Sequence, residues 1–120
     1  MRRLIMVLAG LMAAGQLAHA DEGPALAAVS IEPGDGGVTI VGRATALEGG
    51  RYEARMVIEK SGTSGRTSTR QGAHLDLAAG ESADVARVGL SLQAGDSLAV
   101  TVEVMEDGAV VSRATTQTTY

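Results

Sequence analysis

The sequence predicts an all-β domain built as an antiparallel sandwich, and three observations support this. Its 16 glycines separate short runs rich in Val, Ile, Leu, Thr and Ala, which is typical of strands joined by turns. Several runs alternate apolar and polar residues, as strands with one buried face do. The third observation is seven such runs in about 100 residues, which match a seven-stranded immunoglobulin-like antiparallel β-sandwich.

The predicted strands are bounded by turn signals, of which Asp107-Gly108 is the clearest hairpin signal. Gly72 is a point at which the fourth strand could be interrupted. The expected strands cover residues 26–31, 38–46, 51–60, 66–77, 83–92, 97–105 and 109–118. The apolar faces of the third, fifth and sixth strands comprise Tyr52, Ala54, Met56, Ile58, Val88, Leu90, Leu92, Leu98, Val100, Val102 and Val104.

The N-terminus has the three parts of a secretory signal peptide. Arg2 and Arg3 form the basic segment, residues 4–14 are apolar apart from one glycine, and Ala18-His19-Ala20 provides the small residues before a cleavage site. A membrane anchor is the alternative, but a spanning helix needs about 20 apolar residues and this run is shorter. We therefore expect a signal peptide over residues 1–20 and one exported domain over residues 21–120.

The composition of this domain excludes several function classes. Without Arg2 and Arg3 it has 8 basic and 14 acidic residues, a balance that does not suit a nucleic-acid or anionic-membrane partner and favours a soluble monomer. The chain has no cysteine, which excludes thiol redox chemistry and cysteine-ligated metal. Its only aromatic residues are Tyr52 and Tyr120, so the core must be aliphatic and stacking platforms for bases are not expected.

No motif in the domain indicates catalysis or a cofactor. His74 is the only histidine after residue 20. The alternation of the fourth strand places its even-numbered residues, His74 included, on the polar face. Catalysis by this side chain would need a nucleophile and an orienting acid, and none is indicated. The carboxylates are scattered and lack metal-ligand spacing. We therefore predict that the protein is not an enzyme and uses no cofactor or metal.

The third and fourth strands carry the sharper functional candidate. A symmetric loop around Thr63-Ser64 pairs Glu59 with Ser68 and Val57 with Arg70. This register places Arg55, Arg66 and Arg70 on one exposed face, together with Glu59. The alternative is an ordinary mixed surface of ion pairs. The register of the last hairpin stays open, because adjacent Val110 and Val111 could each point inward.

Three segments resemble the CsgC/CsgH-like curli assembly inhibitor family. They are Ser64-Gly65-Arg66-Thr67-Ser68-Thr69-Arg70-Gln71, Leu75-Asp76-Leu77 and Val88-Gly89-Leu90-Ser91-Leu92. One branch of that family has a Cys-x-Cys at the start of the third strand, where this chain has Tyr52 and Ala54. The chain therefore looks closer to the cysteine-free CsgH-like branch.

The resemblance implies a periplasmic, cofactor-free protein that prevents premature amyloid assembly of the curli major subunit. The exposed motif of the family's fourth strand corresponds here to Ser68, Thr69, Arg70 and Gln71. By parity Gln71 points inward unless Gly72 marks a bulge. Together with Arg55 and Arg66, these residues form the expected client-binding site, acting through weak, electrostatically guided contacts. The alternatives are an adhesin or pilus-type binding module that acts by strand-edge pairing, and a purely structural domain.

Overall fold

The computed structural model describes residues 23–120 and confirms the all-β prediction. Seven strands are present in this part of the chain, each at a predicted place. Six of them extend beyond the predicted bounds at one or both ends, and the fifth is shifted by one residue toward the N-terminus. They are β1 (Ala25–Gly34), β2 (Gly37–Ala46), β3 (Gly50–Gly62), β4 (Gly65–Leu77), β5 (Ser82–Ser91), β6 (Ser97–Glu106) and β7 (Ala109–Thr119). The predicted signal peptide lies outside the described residues. Residues 23–120 contain no helix that is long and apolar enough to cross a membrane.

The strands form two antiparallel sheets packed face to face. One sheet has three strands in the order β1-β2-β5, and the other has four in the order β4-β3-β6-β7. Thirteen consecutive residue pairs join β3 to β4 without a register shift. Gly72 therefore does not interrupt β4, and the possible break at this residue is absent.

The core consists of the alternating apolar residues of the inner strands. Met56, Val100, Val102 and Val104 are fully buried between the sheets, as their period of two predicts. The half-buried Val88 and Leu90 pack against the same core from the edge strand β5. Because only aliphatic side chains and methionine fill most of this space, the sheets can approach closely, and close packing is what stabilises such a core.

Tyr52 is the one aromatic residue of this core, and its hydroxyl has polar partners. The side chain is 2% exposed, and its hydroxyl donates a hydrogen bond to the carbonyl oxygen of Glu48 at 2.6 Å and approaches that of Pro24 at 3.2 Å. Burial raises the pKa of this phenol, and the nearby carboxylates of Glu106 and Glu48 raise it further. The buried hydroxyl therefore stays protonated and ties β3 to the loops at this end of the sandwich.

A glycine in β2 permits close approach of the two sheets at the centre of the sandwich. A Cβ atom at Gly42 would lie 2.9 Å from both the Met56 sulfur and a methyl group of Val102. Opposite Gly42, β5 contains a bulge in which Val85 is the additional residue, and this side chain is also buried. Any larger residue at position 42 would have to displace the side chains of Met56 and Val102 or push the sheets apart.

Candidate functional site

The register of β3 and β4 places four of the six predicted site residues on one surface. Val57 lies opposite Arg70 and Glu59 opposite Ser68, as the loop argument predicts. The outer face of the four-stranded sheet therefore carries four of the predicted residues. They are Arg55, Arg66, Ser68 and Arg70.

The other two predicted residues lie on the opposite face of β4. Thr69 is opposite Ile58 and Gln71 is opposite Met56, both of which are core residues. Gln71 is nevertheless exposed, because β4 is an edge strand whose core contacts are made by Leu75 and Leu77. The predicted site is thus divided between two faces of one strand. The alternation of residues along a strand predicts which face Gln71 lies on. It does not show that β4 lies at the edge of the sheet, and this edge position keeps Gln71 accessible.

Arg66 and Arg70 differ from the other basic residues by their lack of partners. Both side chains are exposed, and within residues 23–120 neither forms an ion pair or a side-chain hydrogen bond. Lys60 donates a hydrogen bond to the carbonyl oxygen of Ser91. The remaining basic residues all have carboxylate partners, and they are Arg43, Arg51, Arg55, Arg87 and Arg113. The positive charge available to a binding partner is therefore concentrated at Arg66 and Arg70.

Arg55 belongs instead to a charged cluster on the same face. Its Nη2 donates a hydrogen bond to one carboxylate oxygen of Glu103 at 2.8 Å, and Arg113 binds the other oxygen at 2.7 and 2.8 Å. The Glu103 side chain is 16% exposed. Hydrogen bonds from Arg55, and then from Arg113, hold the pKa of this carboxyl below its ordinary value. Arg55 is therefore partly neutralised, although the sequence pattern predicts it to be free for a client.

The ion pairs of Glu103 could not be predicted because they depend on the register of the last hairpin. A bulge at Val111 shifts the pairing of β6 and β7, so that Val104 faces Ser112 and Glu103 faces Arg113. Val111 packs against the core, whereas Val110 is exposed. The sequence left these two valines undecided, and so gave no reason to place Arg113 beside Glu103.

Replacing Glu103 by glutamine should destabilise the domain by about 1–2 kcal/mol at neutral pH, because two charge-assisted hydrogen bonds are weakened. The pKa of Glu103 is lowered in the folded state, so its stabilising effect is complete above the ordinary pKa of 4.5. The effect is lost as the pH falls through the lower folded-state pKa. The difference in free energy of unfolding between wild type and Glu103→Gln should therefore shrink below pH 4.5. Urea unfolding across pH 3–7 measures it.

Glu59→Gln provides the control for this experiment. Glu59 lies on the same outer face, and it forms no ion pair within residues 23–120. Its replacement should change stability by no more than about 0.5 kcal/mol. Equal effects of the two substitutions at neutral pH, or a pH-independent effect at Glu103, would contradict the proposed role of the cluster.

The surface around these arginines has shallow depressions. One of about 370 Å³ is lined by Arg55, Val57, Arg70, Thr101 and Glu103. Further along the same face, a second of about 460 Å³ lies beside Arg66. His74 is exposed, with Nδ1 3.6 Å from a Glu53 carboxylate oxygen. Residues 23–120 contain no group of three acidic or histidine side chains that could hold a metal ion.

Fold and site together define a small β-sandwich that presents charge on an open strand, an arrangement suited to contact with another macromolecule. The chain belongs to the Tafi-CsgC family, described as thin aggregative fimbriae synthesis proteins, whose model matches residues 32–117. The family predicted from the segments around Arg66, Leu75 and Val88 is thereby confirmed. The absence of cysteine fits its CsgH-like branch.

Solved structures agree with this fold. The solution structure of CsgH from R. palustris matches with a TM-score of 0.62 and 20% sequence identity, over 75% of this chain and 90% of that chain. The E. coli curli protein CsgC matches with a TM-score of 0.64 and 17% identity, over 78% of this chain and 96% of that chain. No curated protein sequence matches this chain significantly.

Proposed function

We propose that this protein is a monomeric periplasmic inhibitor that prevents premature amyloid assembly of a curli major subunit. Membership of the Tafi-CsgC family supports the curli context. The observation that carries the proposal is the exposed pair Arg66 and Arg70, which has no carboxylate partner within residues 23–120. Unpaired charge of this kind is available to attract a client, whereas the other arginines already bind carboxylates.

The proposed mechanism is weak, electrostatically guided contact with early client species. The side chains of Arg66 and Arg70 attract acidic and amide groups, while Ser68 between them offers a short hydroxyl that does not obstruct approach. The domain is acidic overall, so attraction is confined to this strand and repulsion elsewhere opposes a stable complex. Transient capture of nuclei is sufficient to delay amyloid formation even when the inhibitor is scarce.

At a low molar ratio, the mature protein should lengthen the thioflavin-T lag phase of a purified curli major subunit, and high salt should abolish this effect. The Debye length falls from about 8 Å at 0.15 M salt to about 3 Å at 1 M, so attraction by exposed arginines is screened. Client-only reactions at each salt concentration provide the control. Absence of any delay would overturn the proposed function, and a delay that persists at 1 M salt would overturn the electrostatic mechanism.

A further inference from the structure

Strand β4 is the longest edge strand in the described part of the chain, and its pairing contains no bulge. The sandwich has four edge strands, β1, β5, β4 and β7. Pro33 lies in β1, and bulges at Val85 and Val111 interrupt β5 and β7. Such irregularities block the addition of a further strand. β1 pairs with β2 without a shift, but over ten residues and with its proline near one end. β4 contains neither a proline nor a bulge and pairs with β3 over 13 residues, so its free edge is long and unbroken.

The register also identifies the backbone groups that face this edge. Gly62 and Gly65 flank the two-residue loop between β3 and β4, and residues in this position exchange both backbone hydrogen bonds. Because bonded and non-bonded pairs alternate, odd-numbered residues of β4 bond to β3. The N–H and C=O groups of Arg66, Ser68 and Arg70 therefore point to the open edge, and these residues also carry the exposed side chains of the outer face.

These edge groups have no partner within residues 23–120. None of the backbone hydrogen bonds outside the strand ladders involves residues 65–77, and none of the side-chain hydrogen bonds reaches their backbone. On two of the other edges, one backbone group is engaged. On β1, the N–H of Ala27 is bonded to Ser112 Oγ at 2.9 Å, and on β5 the carbonyl of Ser91 accepts a hydrogen bond from Lys60. β4 thus presents a row of edge groups without partners that no proline, bulge or side-chain hydrogen bond interrupts.

We propose that the edge of β4 over residues 66–72 binds an extended segment of the client as an added antiparallel strand. This inference rests on the proposed function and specifies the contact that it uses. Arg66 and Arg70 lie on one face of the strand, four residues and roughly 13 Å apart. The segment that fits best carries carboxylates four residues apart, which point to the same face and lie opposite the two arginines.

Charge favours a client segment over a second copy of this chain as the occupant. Antiparallel pairing of two β4 strands centred on Ser68 would place Arg66 of each copy opposite Arg70 of the other. Like charges directly opposite in a sheet are destabilising. Between residues 65 and 75, β4 contains two arginines and no carboxylate, so an acidic strand complements it and another β4 does not.

A client segment bound as an added strand would lose one of the two free edges at which further client strands can pair. Amyloid extends by pairing the free edge of one strand with the next chain. A client strand paired with β4 has one edge occupied by the sandwich. The sheet behind β4 continues into β3 and cannot exchange for client strands without unfolding. The domain would therefore terminate growth on that side.

The test uses two synthetic nine-residue peptides of identical composition, with aspartates four or five residues apart, and amide hydrogen exchange of the mature protein measured by NMR. We expect the first peptide to slow exchange at Ser68 and Arg70 and not at Thr67 and Thr69, which are already bonded to β3. The five-residue spacing places its second carboxylate on the wrong face, so it should bind about 3- to 10-fold more weakly. Equal binding of the two peptides, or no protection of Ser68 and Arg70, would overturn the inference.

Ser68→Pro tests the backbone contact separately from charge, because it removes one outward N–H and keeps both arginines. Proline is tolerated on an edge strand where the N–H faces solvent, and Ser68→Ala is the matched control. The proline variant should bind the first peptide about 3- to 10-fold more weakly than the alanine variant. Equal affinities of the two variants for the first peptide would overturn the inference. It would also be overturned if analytical ultracentrifugation showed that the protein dimerises and that the peptide blocks this dimerisation.

The same variants separate this inference from the proposed function. If wild type delays amyloid formation and the proline and alanine variants do so equally, inhibition stands and edge pairing fails. If wild type gives no delay, the proposed function fails whatever the peptides do. If the proline variant does not fold, the exchange pattern of the unmodified protein still decides.

Discussion

Met56→Ala is expected to reduce the free energy of unfolding by about 2–5 kcal/mol, the largest loss of stability that we predict. Met56 is 0% exposed, and its sulfur packs against Gly42 of the opposite sheet. Truncation removes the buried thioether and leaves a cavity that neighbouring strands cannot fill without breaking their ladders. For a domain of about 100 residues this corresponds to a fall in Tm of about 10 °C or more. Thermal and urea unfolding measure it.

Met105→Ala provides a matched control, because it makes the same chemical change on the outer face. Met105 is only partly buried, and its sulfur accepts a long contact of 3.7 Å from Arg55. We expect a loss of about 1 kcal/mol or less at this position. Similar losses at the two methionines would show that the inner face around Gly42 is not the packed centre of the domain.

The sequence was sufficient to predict the β3–β4 unit because two independent patterns agree there. The alternation of Tyr52, Ala54, Met56 and Ile58 fixes the inner face, and the short loop at Thr63-Ser64 fixes the register. A slip of one residue would move every apolar side chain into solvent. The pairing of Val57 with Arg70 could therefore be predicted. The ladder is longer than predicted, because the glycines at the ends of the two strands are also paired, although glycine is typical of turns.

The charged cluster could not be predicted, because it depends on a bulge. Val110 and Val111 have the same hydrophobicity, and only packing against the other sheet decides which of them is buried. That choice determines whether Arg113 lies beside Glu103 or one residue away. Sequence patterning alone also overestimated the free charge of the face, since it assigned Arg55 to the client site without identifying its carboxylate partner.

The position of β4 at the edge of its sheet was the second feature that the sequence pattern could not predict. Parity assigns Thr69 and Gln71 to the inner face, and in a central strand this would bury them. The smaller sheet has three strands and leaves most of β4 uncovered, so both sides of β4 are accessible over the predicted motif. Accessibility of this motif therefore follows from the unequal size of the two sheets, which is a property of the complete fold.

The double charge reversal Arg66→Glu/Arg70→Glu is expected to abolish the thioflavin-T lag extension given by wild type. Each arginine attracts a carboxylate with about 1 kcal/mol at 4 Å in water. Reversal replaces attraction by repulsion at two sites, so after partial screening the association should weaken about 10- to 100-fold. Because neither side chain has a partner within residues 23–120, the variant should remain folded, with a Tm close to that of wild type.

The control Arg43→Glu/Arg87→Glu makes the same change in net charge on the outer face of the three-stranded sheet. These arginines pair with Asp84, and Arg87 also approaches Glu32, so this variant should lose some stability yet keep its inhibitory effect. Inhibition lost equally in both variants would mean that net charge acts, and not the β4 site. Inhibition retained by Arg66→Glu/Arg70→Glu would overturn the electrostatic mechanism, because no other exposed cation in the described domain lacks a carboxylate or carbonyl partner.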